Sequence, residues 1–564
     1  MISWDEAATA LMAPGQEFEL VDVDGPNGPG PAFRRAPRNL GALYASARRH
    51  RDADFVVHGE RRLSYRAVFE RADALATGLA ASFRLGPGDR VAIAMRNQPE
   101  WIVSYLAITG RPWIVVPVNA WWTGEEMAYA LQDSGTRVVI ADEERADRLA
   151  AVAGLDVEVV VVGPAFDRLA DTETRTDTAA ETGVDGDDPA AILYTSGTTG
   201  RPKGAICTHR NVVNALMGFH FAASVAAHRA GATAQAGSQP AMLVSVPLFH
   251  VTGCHTIFLT SLLSGRKLVL MDRWNADEAL RLIERERVTA FTGVPTMVWD
   301  MLRSPELDRR DTSSLRVVGN GGAPAGPELS RQVERRFEGR AGHGYGMTET
   351  SGAGAQVNGD DHLAHLGSPG RPPPVLQIEA FDDTDRLLPR GERGELRMWG
   401  SVVTPGYWDN PEATEEAFVD GWFRSGDVGH IGADGFLYLD GRSKDMVLRG
   451  GENVYCVEVE RAMQEVDGVL EAVVYGLPDE RLGEIVAATV HAVDRSIDQA
   501  AIAAALNGHL ARFKIPEAVV VSSSPVAKLA SGKFDKRTVA ADHRAALDVA
   551  VGRRRGSRPS SPND

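Results

Sequence analysis

Short apolar runs rich in β-branched residues alternate with stretches of helical periodicity along most of this 564-residue chain. Residues 90–95, 136–141 and 190–194 read as strands, each a brief apolar run bounded by polar or turn-forming positions. Between the first two, Thr123-Gly-Glu-Glu126 has the form of a capping box. There a threonine hydroxyl and a glutamate carboxylate satisfy each other's free backbone N–H groups, so a helix is expected to open. Residues 276–288 and 326–337 set their apolar side chains along one helical face. Strands that alternate with helices predict mostly parallel sheets layered with helices.

The tempo changes after Gly441. Short strands at 470–475 and 485–493 flank helices at 457–464 and 499–512, a compact α+β unit of about a hundred residues. The expected fold class is therefore α/β, with a large N-terminal domain of layered, mostly parallel sheets and a small C-terminal α+β domain. The end of the chain, from Arg553, is rich in Arg, Ser and Pro and reads as disordered. No repeat of 20 to 50 residues stands out.

Composition narrows the function classes. Hydrophobic residues make up 44% and charged residues 24%, an ordinary globular balance with ample material for large cores. The formal net charge of −16 disfavours nucleic acid and anionic membrane surfaces as partners, since both call for a basic face. A small phosphate ligand needs only a local basic patch and is untouched by this. Cys207, Cys254 and Cys456 are too few and too scattered for a metal site or a disulfide framework, and fit a reducing, cytoplasmic setting. The N-terminal segment, with Asp5 and Glu6, lacks the pattern of a signal peptide. Residues 230–265 contain no Asp, Glu, Lys or Arg, a length that could suggest a membrane span. Pro240, Pro247, Gly253, His250 and His255 interrupt the run, so it reads as a buried strand at 242–246, a turn and a buried helix, with no integral membrane segment.

The most informative segment is Tyr194-Thr-Ser-Gly-Thr-Thr-Gly-Arg-Pro-Lys-Gly204, directly after an expected strand. Gly197 and Gly200 let successive N–H groups converge on an anion; Thr195, Ser196, Thr198 and Thr199 add hydroxyls, and Lys203 adds a mobile positive charge. Together they describe a phosphate cradle. It is not the P-loop pattern, because Lys203 precedes Gly204 and the glycine spacing differs, which excludes a P-loop phosphotransferase.

This loop resembles the signature of the adenylate-forming superfamily of acyl-CoA synthetases, peptide-synthetase adenylation domains and luciferases. Further blocks of that family follow in order: Gly321-Gly-Ala-Pro324, Gly344-Tyr-Gly-Met-Thr-Glu349, Trp422-Phe-Arg-Ser-Gly-Asp427, Gly441-Arg-Ser-Lys-Asp-Met446, Gly450-Gly-Glu-Asn453 and Ser531-Gly-Lys533. The resemblance spans roughly residues 40 to 540 and implies a division into an extension (1–40), an AMP-binding domain (41–441), a hinge (442–445) centred on Lys444, a small mobile C-terminal domain (446–540) and a tail (541–564).

The resemblance also implies roles. Lys533, Thr199, Lys203 and Glu349 would be catalytic, and Glu349 the ligand of Mg²⁺, with Thr348 beside it for a phosphate. A lone Glu is more often a solvated carboxylate; its place after Gly344-Tyr345-Gly346 favours a nucleotide site. Tyr345 would stack on adenine, Asp427 and Arg442 would hold the ribose hydroxyls, and Gly322, Ala323 and Pro324 would line the nucleotide. His250, Val251, Thr252, Val294, Gly319 and Gly344 would bound the acid pocket, and Gly450 and Gly451 the coenzyme A channel. Amino-acid-activating relatives commonly carry Phe-Asp where this chain has Phe249-His250, which disfavours an α-amino acid. Two positions depart from the family: Cys456 stands where a proline is usual, and the stretch before Ser531 reads Pro525-Val-Ala-Lys-Leu-Ala530 in place of Pro-Arg-Thr. The family pattern therefore does not carry over to the geometry just ahead of Lys533.

The implied reaction takes ATP, a carboxylic acid (fatty or otherwise hydrophobic) and coenzyme A to an acyl-CoA through an acyl adenylate, releasing pyrophosphate. Alternatives are transfer to a carrier-protein phosphopantetheine or another acceptor, luciferase-type oxidation of the adenylate, and nucleotide binding without catalysis. Oligomeric state, a homo-oligomer included, is left open.

Overall fold

The structure is a computed structural model and describes residues 2–171, 183–195, 201–231, 239–322, 327–442, 445–449, 452–479, 481–493, 497–507, 509–529 and 533–545. Two large sheets lie at its centre. Among the described residues, one has six strands, with Arg90–Ala94 between Ile114–Pro117 and Val138–Ala141, all parallel. Glu158–Val161 extends it in parallel at one side; Pro189–Thr195 and its antiparallel partner Lys203–Thr208 extend it at the other. The second sheet has eight strands. Its parallel centre runs through Arg340–Gly346, Val317–Gly321, Ala290–Gly293, Ala241–Val244, Lys267–Leu270 and Asp54–His58.

The central strands are buried on both faces, which explains why they read as continuous apolar runs rather than alternating ones. Helix Pro99–Thr109, with every residue buried, lies within the main core; its Trp101 and Tyr105 pack in the cluster that joins Val91, Ile93 and Val115 of one sheet to Val56, Val244 and Leu268 of the other. Ala276–Glu286, Pro295–Arg303 and Pro327–Arg336 cover the outer face of the eight-stranded sheet through Ile283, Val298 and Val333. The expected capping box is present: Thr123 and Glu126 open helix Gly124–Asp133 with both reciprocal bonds made. Of the run at 230–265, residues 232–238 lie outside the described residues; the rest includes the buried strand Ala241–Val244, a turn, and a largely buried helical stretch, π-helical over Thr252–Leu259 and α-helical over Thr260–Ser264. Among the described residues, no helix is long and apolar enough to cross a membrane.

The architecture changes earlier than the sequence tempo suggests. Leu376–Phe381, Gly394–Gly400, Phe418–Val419, Trp422–Ile431 and Leu437–Arg442 already form an antiparallel sheet. Its local signal is Asp420-Gly421 between two strands: both residues have positive φ (50° and 81°), which suits a two-residue hairpin. A further sheet follows, of Met446–Arg449, Glu452–Tyr455, Val469–Asp479, Gly483–Ala492 and Ala518–Ser522, packed against helices Cys456–Gln464 and Gln499–Leu506. The second helix stops six residues short of the expected end, because Asn507 turns to extended backbone (φ −66°, ψ 126°). Cys456 sits at the first helical position, where the missing proline would cost nothing: that N–H has no intrahelical partner in any case.

Candidate active site

Four chain segments leave the eight-stranded sheet at the carboxyl ends of its parallel strands, the edge where α/β sheets bind ligands. Ala241–Val244 leads to Phe249 and His250, Ala290–Gly293 to Val294, Val317–Gly321 to Gly322, and Arg340–Gly346 to Thr348 and Glu349. Gly319 and Gly344 lie in the strands themselves, two residues back from those ends. Gly322 has φ +73°, and a Cβ there would stand 4.0 Å from Lys533 Cε. The left-handed backbone favours glycine at this point, and Lys533 lies at ordinary contact distance.

On either side of the glycine- and threonine-rich segment, Lys203 pairs with Thr195 across two antiparallel strands, and the Thr195 hydroxyl donates to the Lys203 carbonyl at 3.4 Å. Ser196, Gly197, Thr198, Thr199 and Gly200 lie outside the described residues, as do Ala323, Pro324, Lys444, Gly450 and Gly451. The Lys203 ammonium stands 5.4 Å from the centroid of the Tyr407 ring, and the Tyr407 hydroxyl donates to Glu349 Oε1 at 2.9 Å. Backbone bonds hold this contact in place: Trp408 N–H donates to the Gly204 carbonyl (2.7 Å) and Thr404 N–H to the Glu349 carbonyl (2.8 Å). Tyr407 thus links the cradle to Glu349, a role the sequence reading missed. Its only local signal is an aromatic residue following Pro405-Gly406.

Asp427 and Arg442 face each other across the antiparallel sheet, and Arg442 Nε donates to Asp427 Oδ1 at 3.1 Å. The Tyr345 hydroxyl donates to the other oxygen, Oδ2, at 2.5 Å. Tyr345 also packs at the edge of a hydrophobic cluster. Lys533 comes from the C-terminal sheet region. Its carbonyl accepts from Leu529 N–H (2.7 Å) beside an antiparallel bridge between Lys528 and Phe534, so Lys533 stands on a short hairpin.

Burial sets the electrostatics. It raises the Glu349 carboxyl above its ordinary range, opposed by the Tyr407 hydrogen bond and Arg442. It raises Asp427 likewise, opposed by Arg442 and Tyr345. It lowers Lys533, with Arg442 adding to the effect and Asp427 countering it. His250 is pushed down to about 4 by burial and then by Lys533, so it is neutral at pH 7, and its Nε2 has no partner among the described residues. No cluster of three or more His, Cys, Asp or Glu able to hold a metal occurs among the described residues. A single carboxylate nevertheless fits Mg²⁺, which is commonly held by one or two carboxylates together with substrate phosphates. Glu349, desolvated and hydrogen-bonded by the neutral Tyr407 hydroxyl, is such a group.

Around His250 the walls are aromatic. Phe249 lies 4.7 Å away ring to ring, and Trp121, unforeseen from sequence, meets Phe249 edge-on at 5.1 Å and His250 at 6.5 Å. Val251 faces Gly352, where a Cβ would come within 3.3 Å of its Cγ2. Thr252 begins the π-helical stretch, a rare conformation often found at functional sites. Val294 caps helix Pro295–Arg303, and Gly319 lies against Thr292, whose Oγ1 would be 3.0 Å from an added Cβ.

Beside one edge of the eight-stranded sheet thus stand two desolvated carboxylates, Asp427 held by Arg442 and Tyr345, and Glu349 held by Tyr407. Residues 43–408 match the model of the AMP-binding enzyme family, and residues 458–533 that of the AMP-binding enzyme C-terminal domain. A feruloyl-CoA synthase from Amycolatopsis sp is 36% identical over 86% of this chain and 95% of its own length. The long-chain-fatty-acid–CoA ligase FadD13 from Mycobacterium tuberculosis is 34% identical over 81% of this chain and 90% of its own. ATP-bound MatB from Rhodopseudomonas palustris superposes with a TM-score of 0.78 at 30% identity, covering 89% of this chain and 99% of that one. The chain belongs to the AMP-binding enzyme family, the adenylate-forming enzymes, as an AMP-forming acid–thiol ligase of the acyl-CoA synthetase type.

Proposed function

We propose that this enzyme joins a hydrophobic monocarboxylic acid, alkyl or aryl, to coenzyme A in two half-reactions. In the first, the acid carboxylate attacks the α-phosphorus of ATP, forming an acyl adenylate and releasing pyrophosphate. In the second, the thiol of coenzyme A attacks the acyl carbonyl and AMP leaves. The single observation that carries this reading is the meeting of Lys533 with Gly322 and the Asp427–Arg442 pair. It brings a cation from the small C-terminal unit to the nucleotide edge of the large sheet.

In this reading Tyr345 and Asp427–Arg442 orient the nucleoside, and the 195–204 loop with Lys203 takes the phosphates. Lys533 stabilises negative charge where the two anions meet, the kind of pre-placed electrostatic help that lowers such barriers. Mg²⁺ held through Glu349 would supply further charge neutralisation at the phosphates. Neutral His250, with Phe249 and Trp121, offers the acid an apolar, aromatic wall without a charge to pair a second ionic group. The domain division at 442–445, with Lys444 as hinge, belongs to the same reading, since adenylation needs Lys533 in place and the thiol needs room. Three buried free thiols support a reducing, cytoplasmic setting.

Pyrophosphate release across a panel of short, long-chain and aryl acids, with coenzyme A or pantetheine as acceptor, tests it. Acid-dependent release with coenzyme A favoured is expected; release with amino acids or dicarboxylates alone would reject the hydrophobic-acid assignment.

A further inference from the structure

The chain lacks the family's usual residues just ahead of Lys533, yet Lys533 reaches the site. The hairpin that bears it is short. Its backbone bonds run from Leu529 N–H to the Lys533 carbonyl (2.7 Å) and from Asp535 N–H to the Ala527 carbonyl (3.0 Å). An isolated two-stranded hairpin is at best marginally stable in water; here Val526 and Phe534 pack with Val473, Tyr475 and Leu477, and a carboxylate fixes the hairpin's direction on that surface.

Glu471, on strand Val469–Asp479, does so with both carboxylate oxygens. Oε1 accepts from the Lys528 ammonium at 2.6 Å, and Oε2 accepts from the Val526 N–H at 2.8 Å. Its side chain is only 9% exposed, and that of Lys528 25%. His491, the cross-strand neighbour of Glu471, places Nδ1 3.5 Å from Oε2. The Lys528 ammonium also lies 5.7 Å from the ring of Phe534, the residue after Lys533. One carboxylate therefore grips the near strand of the hairpin at a backbone and at a side chain, and Lys528 carries the grip to the far strand. Arg303, on helix Pro295–Arg303 of the large domain, stands within electrostatic reach of the same carboxylate. A desolvated, two-point contact of this kind is costly to break on one side only, because the partner is left buried and unmatched.

We propose that Glu471 and Lys528 form a positioning clamp that holds the hairpin so that Lys533 enters the adenylating site. They touch no substrate and act through Lys533, so the inference rests on the adenylating role given to that lysine. A misplacement of about 1 Å at a reacting group can cost on the order of a hundredfold in rate.

The test uses the full-length enzyme in single-turnover assays of the two half-reactions, with thermal unfolding measured on each variant. Lys528→Ala is expected to slow acyl-adenylate formation by about ten- to a hundredfold with little change in KM for ATP or acid. It should leave thioester formation from supplied acyl adenylate near the parent rate. Lys528→Arg should recover most of the lost rate. Glu471→Gln keeps an acceptor for Val526 N–H while losing the charge, so it should show the same selective loss, more mildly, and serves if Lys528→Ala does not fold. Unchanged adenylation in both variants would overturn the clamp. So would equal loss in both half-reactions, or no recovery with arginine. If Lys533→Ala, run alongside, adenylates at the parent rate, the role of Lys533 falls first and the clamp with it.

Discussion

The strand ends of the eight-stranded sheet and the hairpin that carries Lys533 present their functional groups in opposite ways. Val294, Gly322 and Glu349 follow strands paired in parallel register, whose outer face packs on Ile283, Val298 and Val333. Lys533 stands on a short hairpin held by two backbone bonds, the packing of Val526 and Phe534 on the strand beneath, and the grip of Glu471, in a small unit with its own hydrophobic core. The first arrangement suits groups that must define a fixed pocket. The second suits a group that is needed for one half of a reaction and in the way of the other. Stability is distributed unevenly within folded proteins, and moving elements are drawn from the less strongly held parts.

Substitutions can separate the two. Lys533→Ala should have the largest effect, lowering acyl-adenylate formation by about a thousandfold while supplied acyl adenylate still reacts with the thiol. Rapid-quench assays of each half-reaction would show it. Glu349→Gln, on the rigid side, should cost about a hundredfold in Mg²⁺-dependent turnover, since an amide is a poor ligand for a hard cation. Its effect on ligand-free stability should have the opposite sign. The folded-state pKa of Glu349 is raised by burial above the ordinary 4.5, so its contribution to stability is present below that value and lost as pH rises through the folded pKa. The neutral glutamine escapes that loss. Its melting temperature should exceed the parent's at pH 7, by on the order of 1 °C, and the gap should shrink as pH falls toward 4.5.

Lys444→Pro, which fixes φ near −65° in the expected hinge, should keep much of the adenylation rate and slow thioester formation by about tenfold. His250→Ala should have the smallest effect on rate with ATP saturating. It should instead shift the preference among acids by about 1–3 kcal/mol, read as ratios of kcat/KM across the panel.

How much of this was legible in the sequence follows from the range of the interactions. The capping box at Thr123, the parallel strands and the ordered blocks are local, and local patterns survive in a linear reading. The pairing of Asp427 with Arg442 was also accessible, because both fall in recognisable blocks brought face to face by one hairpin. Tyr407 was not: it reaches Glu349 from 58 residues away, and nothing in its own segment points to that partner. Trp121 joins Phe249 only because the two large sheets pack together. Glu471 and Lys528, 57 residues apart, each look like solvated surface charges until the hairpin is folded against the strand. The antiparallel sheet from Leu376 did carry local signals, the alternation of Leu376, Ile378 and Ala380 with Gln377 and Glu379 and the turn at Asp420-Gly421, but they are weaker than the continuous apolar runs before them.

Exchange of labelled pyrophosphate into ATP, with a hydrophobic acid, Mg²⁺ and no thiol present, tests reversible adenylation most directly. Exchange that requires the acid and is lost in Lys533→Ala is the predicted result. Thioester formation by the parent enzyme with no exchange under any acid that supports it would contradict it.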